Sequence, residues 1–137
     1  MMLERVHSFI SSLRSRRTSR GQMRVSLQET GFQLHSTDQR EHSPTCLKWQ
    51  EITTVLAYKR DCFAIDLVCL AIADSVTVLE INEQDAGWEE FIRAVENNLP
   101  GSVPLATWWP AVAQPPFAPN QTTVYRKEQP SGNRLSS

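Results

Sequence analysis

The residues that could perform covalent or metal chemistry are few, and their spacing assembles no known site. The three histidines, His7, His35 and His42, form no i, i+4 pair and have no cysteine at zinc spacing. The glycines occur singly, so the chain has neither a phosphate-binding loop nor a dinucleotide-binding glycine motif. We therefore expect no metal, no nucleotide and no other cofactor.

The three cysteines, Cys46, Cys62 and Cys69, lie inside apolar, strand-like runs and include no CxxC pair. An odd number of thiols at such positions indicates buried, reduced cysteines and a cytoplasmic location. A nucleophilic pair of Cys46 with His35 or His42 across strands is the enzymatic alternative, but a thiol buried in an apolar run is inert. The residues favour a protein that is not an enzyme.

The elements that would position these side chains are strands. Apolar alternation predicts strands over 24–29, 32–36, 46–58, 62–73 and 75–81, the third with a bulge near Gln50. The run 62–73 is apolar on both faces, which is typical of a strand deep in a sheet. Its Asp66 must open to solvent or be held by hydrogen bonds, because an unpaired buried charge is costly. Lys59, Arg60 and Asp61 are predicted to form a solvated hairpin tip that could contact a partner.

One amphipathic helix follows the strands, from about residue 86 to 98. Asp85 is its predicted N-cap, and Pro100-Gly101 ends it. Its apolar positions form a single stripe: Trp88, Phe91, Ile92, Val95 and Leu99. The pattern predicts an α+β fold, a small antiparallel β-barrel or sandwich of five or more strands capped by one C-terminal helix.

The segment 104–127 combines five prolines with four large aromatic side chains: Trp108, Trp109, Phe117 and Tyr125. Prolines exclude a long helix or a central strand, and disordered linkers are usually poor in aromatic residues. We expect one helical turn near 105–109, followed by an extended strap across the barrel. The two tryptophans either seal the barrel or form a contact surface.

These elements divide the chain into four parts: a basic arm (1–21), the main domain (22–101), the Pro/aromatic-rich strap (102–128) and a disordered tail (129–137). In the arm, Val6, Phe9, Ile10 and Leu13 fall on one helical face, among five arginines and one glutamate. A solvated arm, a helix that binds a membrane surface and an organelle transit peptide all fit this composition.

The charge of the chain is unevenly distributed. Residues 22–100 carry 6 basic and 13 acidic side chains, whereas both ends are basic. An acidic core argues against nucleic-acid binding, which needs clustered Lys and Arg on one face. No apolar run reaches the ~18 residues that a membrane-spanning helix requires.

Three segments of the chain resemble a group of uncharacterised small bacterial proteins. They are the string WQEITTVLAYKRDCFAIDLVCLAI (49–72), the helix that begins at Gly87-Trp88, and the closing segment with Trp108-Trp109, Phe117, Asn120 and Tyr125-Arg126. Their strand-then-helix plan resembles a shortened pleckstrin-homology-like domain. The resemblance, over roughly 24–127, implies a PH-like fold in the bacterial cytoplasm and no settled site. Phosphoinositide-binding members of that fold carry basic residues between their first two strands; here the connection is Thr30-Gly31, which argues against that ligand.

The sequence thus favours a non-enzymatic protein-interaction module, immunity-like or adaptor-like, with an acidic docking face. The candidate partner-binding residues are Trp108, Trp109, Phe117, Tyr125, Lys59 and Arg60. The alternatives are a peripheral membrane adaptor that uses residues 1–21 and, third, a small enzyme with a cross-strand Cys/His site. The sequence leaves the partner and the oligomeric state open.

Overall fold

A computed structural model describes residues 23–37, 44–62, 65–113 and 121–128. Its strands are β1 (Met23–Leu27), β2 (Gly31–Ser36), β3 (Thr45–Lys48), β4 (Thr54–Cys62), β5 (Ile65–Ala73), β6 (Val78–Asn82) and β7 (Thr122–Arg126); its helices are α1 (Trp88–Asn98) and α2 (Leu105–Ala113). The predictions for the arm 1–21, the tail 129–137, His7, His42 and Phe117 lie outside the described residues.

The strands form two antiparallel sheets, so the fold is α+β. One sheet has three strands in the order β1-β2-β3, and the other has four in the order β6-β5-β4-β7. Within the described residues the two sheets do not close into a barrel. Backbone hydrogen bonds between Val25 and Ala86 and between Ala86 and Met23 tie β1 to the loop before α1.

The four-stranded sheet buries both of its faces. What we call its inner face carries Val55, Ala57, Val68, Leu70, Ile72, Ile81 and Val124, in one core with the three-stranded sheet and both helices. What we call its outer face carries Leu56, Tyr58, Leu67, Cys69, Ala71 and Ala73, in a second cluster. This arrangement confirms that β5 is apolar on both faces, as the sequence predicts.

Helix α1 closes the core with the predicted stripe. Trp88, Phe91, Ile92, Val95 and Leu99 are all buried. Phe91 packs edge-on against Phe32 with ring centroids 4.8 Å apart, and its ring stacks with that of Trp49 at 6.0 Å. The aromatic contacts join α1 to the three-stranded sheet.

The predicted N-cap of α1 is wrong. Gly87 occupies the cap position with φ 88°, a left-handed conformation that favours glycine. A Cβ at Gly87 would lie 2.3 Å from the backbone oxygen of Val25, so the approach of β1 also requires glycine. Asp85 instead turns back, and its Oδ2 accepts the N–H of Asn82 at 2.9 Å.

The predicted hairpin tip at 59–61 is also wrong. Lys59 and Arg60 lie inside β4, which pairs with β5 through to Cys62 opposite Ile65. The strand therefore continues through the predicted tip as far as Cys62. The charges of Lys59 and Arg60 suggested a turn, but both side chains form ion pairs, with Asp66 and Glu80, and both residues remain in the strand.

Two other predicted elements differ from the structure. The single strand 46–58 is interrupted by a 3-10 turn at Trp49–Glu51, which directs Trp49 toward Phe32 (ring centroids 5.2 Å apart). The helical turn at 105–109 extends to Ala113 and contains Pro110. Thus a second helix, α2, and a strand, β7, follow the capping helix α1 where the sequence predicts one helical turn and an extended strap.

The end of the predicted strap is a strand. β7 pairs antiparallel with β4 at the edge of the four-stranded sheet, with a bulge opposite Val55 and Leu56. This edge position agrees with the expectation that the proline-rich segment contributes no central strand.

Candidate functional site

The two adjacent tryptophans of α2 occupy different environments. Trp108 is 2% exposed and lies in the core with Val112, one helical turn further on. Trp109 is half-buried and packs against the edge of that core. The two rings are 5.8 Å apart with their planes tilted by 51°. Trp108 therefore packs in the core, whereas Trp109 retains exposed surface that a partner could contact.

The outward side of α2 carries no charge. Ala106, Thr107, Pro110 and Ala111 are exposed, and the helix contains no ionisable side chain. We call these four residues and Trp109 the α2 face. An amphipathic surface helix normally turns charged or polar side chains to solvent, so an uncharged outward side is unusual. Pro110 also lacks the N–H that would bond the carbonyl of Ala106, which leaves that carbonyl without its intrahelical donor.

The outward side of α1 is acidic. Glu89, Glu90 and Glu96 are exposed, and Arg93 is the one basic residue in the helix. Glu96 Oε1 accepts the N–H of Leu105 at 2.9 Å and so satisfies a donor in the first turn of α2. Through Glu96 the acidic side of α1 borders the α2 face.

Lys59 is held on the inner-face side of β4. Its Nζ lies 3.4 Å from Asp66 Oδ2 and donates to the carbonyl of Ala113 at 3.1 Å. The Lys59 side chain is 3% exposed and that of Asp66 15%. Asp66 thus has the partner that the sequence required for it. Lys59 anchors the end of α2 to the sheet, and its ammonium is not at the surface.

Arg60 belongs to a polar cluster on the opposite side of the sheet. Its Nη1 lies 2.7 Å from Glu80 Oε2, and the hydroxyl of Tyr58 donates to Glu80 Oε1 at 2.7 Å. The side chain of Glu80 is 2% exposed and that of Arg60 13%. Both carboxylate oxygens of Glu80 are therefore engaged, as a buried charge requires.

Tyr58 completes this cluster as a buried phenol. Burial raises the pKa of Tyr58 well above its ordinary value, and the neighbouring Cys69 and Glu80 act in the same direction, whereas Arg60 opposes them. The Tyr58 hydroxyl must be protonated to donate its hydrogen bond to the Glu80 carboxylate. The raised pKa keeps it protonated and favours a structural role over a nucleophilic one.

Tyr125, the predicted contact residue on β7, is half-buried at the rim of the main core. It pairs with Val55 across the sheet. Tyr125 and Trp109 are thus the described aromatic candidates with partly exposed rings. Phe117 lies outside the described residues.

The two described free thiols differ in exposure. Cys46 is exposed, contrary to its predicted burial, and its Sγ lies 3.8 Å from Gln33 Oε1. Cys69 is a buried free thiol, as predicted. The described part of the chain contains no group of three His, Cys, Asp or Glu side chains that could hold a metal ion. None of its helices is long and apolar enough to cross a membrane.

Sequence reasoning did not identify Tyr58 and Glu80 as partners. They are separated by 22 positions, and the alternation of β6 gave no sign that Glu80 points into a buried layer. Strand pairing brings them together, because β5 places β6 two strands away from β4.

No family model, curated protein or solved structure matches the chain.

Proposed function

We propose that this chain is a non-enzymatic protein-interaction module that docks a partner protein on the α2 face. The observation that carries the proposal is that α2 exposes Ala106, Pro110 and Ala111 beside a half-buried Trp109, with no charge in the helix. Exposed, contiguous apolar surface is typical of docking sites, and tryptophan is enriched among their energetic centres.

The acidic side of α1 supports a finer version of the proposal, in which the partner presents a basic rim around an apolar centre. Glu89, Glu90 and Glu96 would face that rim, and Glu96 is bonded to the N–H of Leu105 at the start of α2. Opposite charges at the edge of an interface mainly accelerate association and select the partner. Such an acidic surface is what an immunity-like or adaptor protein would use against a basic target.

A pleckstrin-homology-like fold and a cytoplasmic location are also part of the proposal. Two packed antiparallel sheets closed by α1 support a pleckstrin-homology-like plan, from which α2 and β7 would be a departure. The free thiols of Cys46 and Cys69 support a reducing compartment such as the bacterial cytoplasm.

The test is partner capture from the native host with charge placed on the α2 face. Ala106→Glu adds a carboxylate to an exposed position of α2 and removes no core contact. Val76→Glu is the matched control, because Val76 is 79% exposed on the β5–β6 turn. We expect wild type and Val76→Glu to capture the same stoichiometric protein and Ala106→Glu to lose it, with similar melting temperatures in all three.

Retention of that protein by Ala106→Glu would show that the α2 face is not the docking surface. If the Glu89→Lys/Glu90→Lys variant still captures the partner, and the association does not depend on salt, the partner does not present a basic rim. Docking on the α2 face would be unaffected by that result.

A further inference from the structure

Among the described residues the two sheets have four edge strands, and other parts of the chain bond to the outward backbone of three of them. At β1 the N–H of Val25 donates to the carbonyl of Ala86 at 2.9 Å. At β7 the carbonyl of Val124 accepts the N–H of Val103 at 2.8 Å. At β6 the N–H of Asn82 bonds to the turn that follows the strand. The fourth edge is β3.

Every second backbone group of β3 points away from its neighbour β2. The N–H of Trp49 donates to the carbonyl of Thr30 at 3.0 Å, and hydrogen-bonded pairs alternate along an antiparallel ladder. Leu47 therefore bonds to β2, whereas the N–H and C=O groups of Cys46 and Lys48 are directed outward. Within the described part of the chain these outward groups have no hydrogen-bond partner.

The edge of β3 is open to solvent as well. Thr45, Cys46 and Lys48 are exposed, and the inward-facing Leu47 is buried. Proteins usually cover or blunt such an edge, because its free N–H and C=O groups can pair with another chain. An edge that stays open is also the element by which strand-adding proteins bind an extended segment of a partner.

The side chains beside this edge select the charge of such a segment. On the side of the three-stranded sheet that faces away from the core, the described strands carry Arg24, His35 and Lys48 and no carboxylate. Lys127, whose Nζ donates to the carbonyl of Gln50 at 2.6 Å, adds another cation just beyond the end of β3. Opposite charges on neighbouring strands stabilise their pairing, and like charges oppose it.

We propose that the edge of β3 binds an extended, acidic segment of a partner protein as an added antiparallel strand. The backbone of that segment would pair with the outward groups of Cys46 and Lys48. Its carboxylates, at alternate positions, would lie on the same side of the sheet as the Lys48 ammonium.

This surface goes beyond docking on the α2 face and does not depend on it. β3 belongs to the three-stranded sheet, whereas Lys59 anchors α2 to the four-stranded sheet. The two surfaces also select opposite charges, since acidic side chains of α1 accompany the α2 face and cations accompany β3.

A second copy of this chain fits the edge less well than an acidic segment. Two β3 strands paired about a two-fold axis would place the cationic side of one sheet beside the same side of its copy. Like charges on one side of a joined sheet oppose the pairing. A segment with alternate carboxylates brings the opposite charge to Lys48.

The test is amide hydrogen exchange of the full-length protein, followed by NMR, with the capped pentapeptide Glu-Val-Glu-Val-Glu as the probe. In the free protein the N–H groups of Thr45 and Leu47 should exchange more slowly than those of Cys46 and Lys48. We expect saturating peptide to slow exchange at Cys46 and Lys48 by about tenfold or more and to leave the other two rates unchanged. This alternation identifies an added strand, because a ligand that merely covered β3 would slow all four.

The charge preference is tested with the capped peptide Lys-Val-Lys-Val-Lys and with the variant Lys48→Glu. We expect wild type to bind the acidic peptide about fivefold more tightly than the basic one, and Lys48→Glu to reverse that preference. Arg93→Glu makes the same change of charge at an exposed position of α1 and should keep the wild-type preference.

Unchanged exchange at Cys46 and Lys48 with the acidic peptide would overturn the proposal, and so would equal binding of the two peptides by wild type. Slow exchange at these two positions in the free protein, slower still at higher protein concentration, would show that β3 pairs with a second copy. That result would overturn the proposal as well.

Discussion

The two buried faces of the four-stranded sheet are built on different principles. The inner face is apolar along β5 from Val68 to Ile72, in one continuous core with both helices, and Asp66 beyond that run is paired with Lys59. The outer face has Leu67 and then smaller residues along β5, Cys69, Ala71 and Ala73, together with the hydrogen-bonded charge of Glu80. The inner face therefore depends on packing volume. The outer face depends also on the complete pairing of Glu80.

This difference bears on how each face responds to substitution. A core of large interlocking side chains tolerates little rearrangement, since each lost contact leaves a cavity. On the outer face, a substitution that breaks the ion pair of Glu80 acts through the cost of an unpaired charge instead.

The largest expected effect is on the inner face. Trp108→Ala removes a ring that is 2% exposed, and we expect a loss of about 3–5 kcal/mol in the free energy of unfolding. Trp109→Ala, at the rim, should lose clearly less. Urea denaturation of both variants measures the difference, and equal losses would contradict the separate roles assigned to the two rings.

On the outer face, Glu80→Ala should cost about 2–3 kcal/mol, because it removes the mostly buried ion pair between Glu80 and Arg60 and the hydrogen bond from Tyr58. Replacing the pair together, by Arg60→Met/Glu80→Leu, should recover much of that loss. Urea denaturation of the single and double variants separates the two results. A double variant as unstable as Glu80→Ala would show that the pair does more than satisfy a buried charge.

A smaller effect is expected from Lys59→Met, about 1–2 kcal/mol, because the substitution keeps the apolar stem and removes the bond to the carbonyl of Ala113. Asp66 is partly exposed and can be rehydrated, which limits the cost. Hydrogen exchange should show faster opening at the end of α2. Unaltered exchange there would mean that Lys59 does not anchor the helix.

The smallest expected effect at neutral pH is that of Tyr58→Phe, about 1 kcal/mol for one lost hydrogen bond. Because burial raises the pKa of Tyr58 in the folded state, its contribution is present below the unfolded pKa of about 10 and is lost as pH rises further. Wild type should lose stability above that pH more steeply than Tyr58→Phe. Parallel pH profiles, measured by urea denaturation, would contradict the burial of the phenol.

Much of the fold follows from local pattern. The stripe of α1 and the double-sided apolar run of β5 were predicted because each can be read within a single element. The hairpin at 59–61 was predicted wrongly, since local sequence cannot show that Asp66 and Glu80 neutralise Lys59 and Arg60 across strands. The N-cap was wrong for a similar reason, because the close approach of Val25 selects Gly87.

The candidate site was predicted less well than the fold. The sequence singled out Trp108 and Trp109 by composition, yet only their placement on α2 separates a core ring from a surface ring. Cys46 was expected to be buried with the other thiols, but it lies on the exposed face of β3, opposite to the buried Leu47. Exposure of a single side chain depends on neighbours distant in sequence, which a local pattern does not contain.

The sequence by itself determined the double-sided apolar run of β5, the apolar stripe of α1, the acidic balance of residues 22–100 and the lack of nucleotide-binding motifs, because these depend on residue type and short-range spacing. Only the tertiary structure decided which charges are paired and which tryptophan is partly exposed. It also decided that the two buried faces of the four-stranded sheet differ. Those properties arise from strand order, and strand order joins residues that are far apart in the chain.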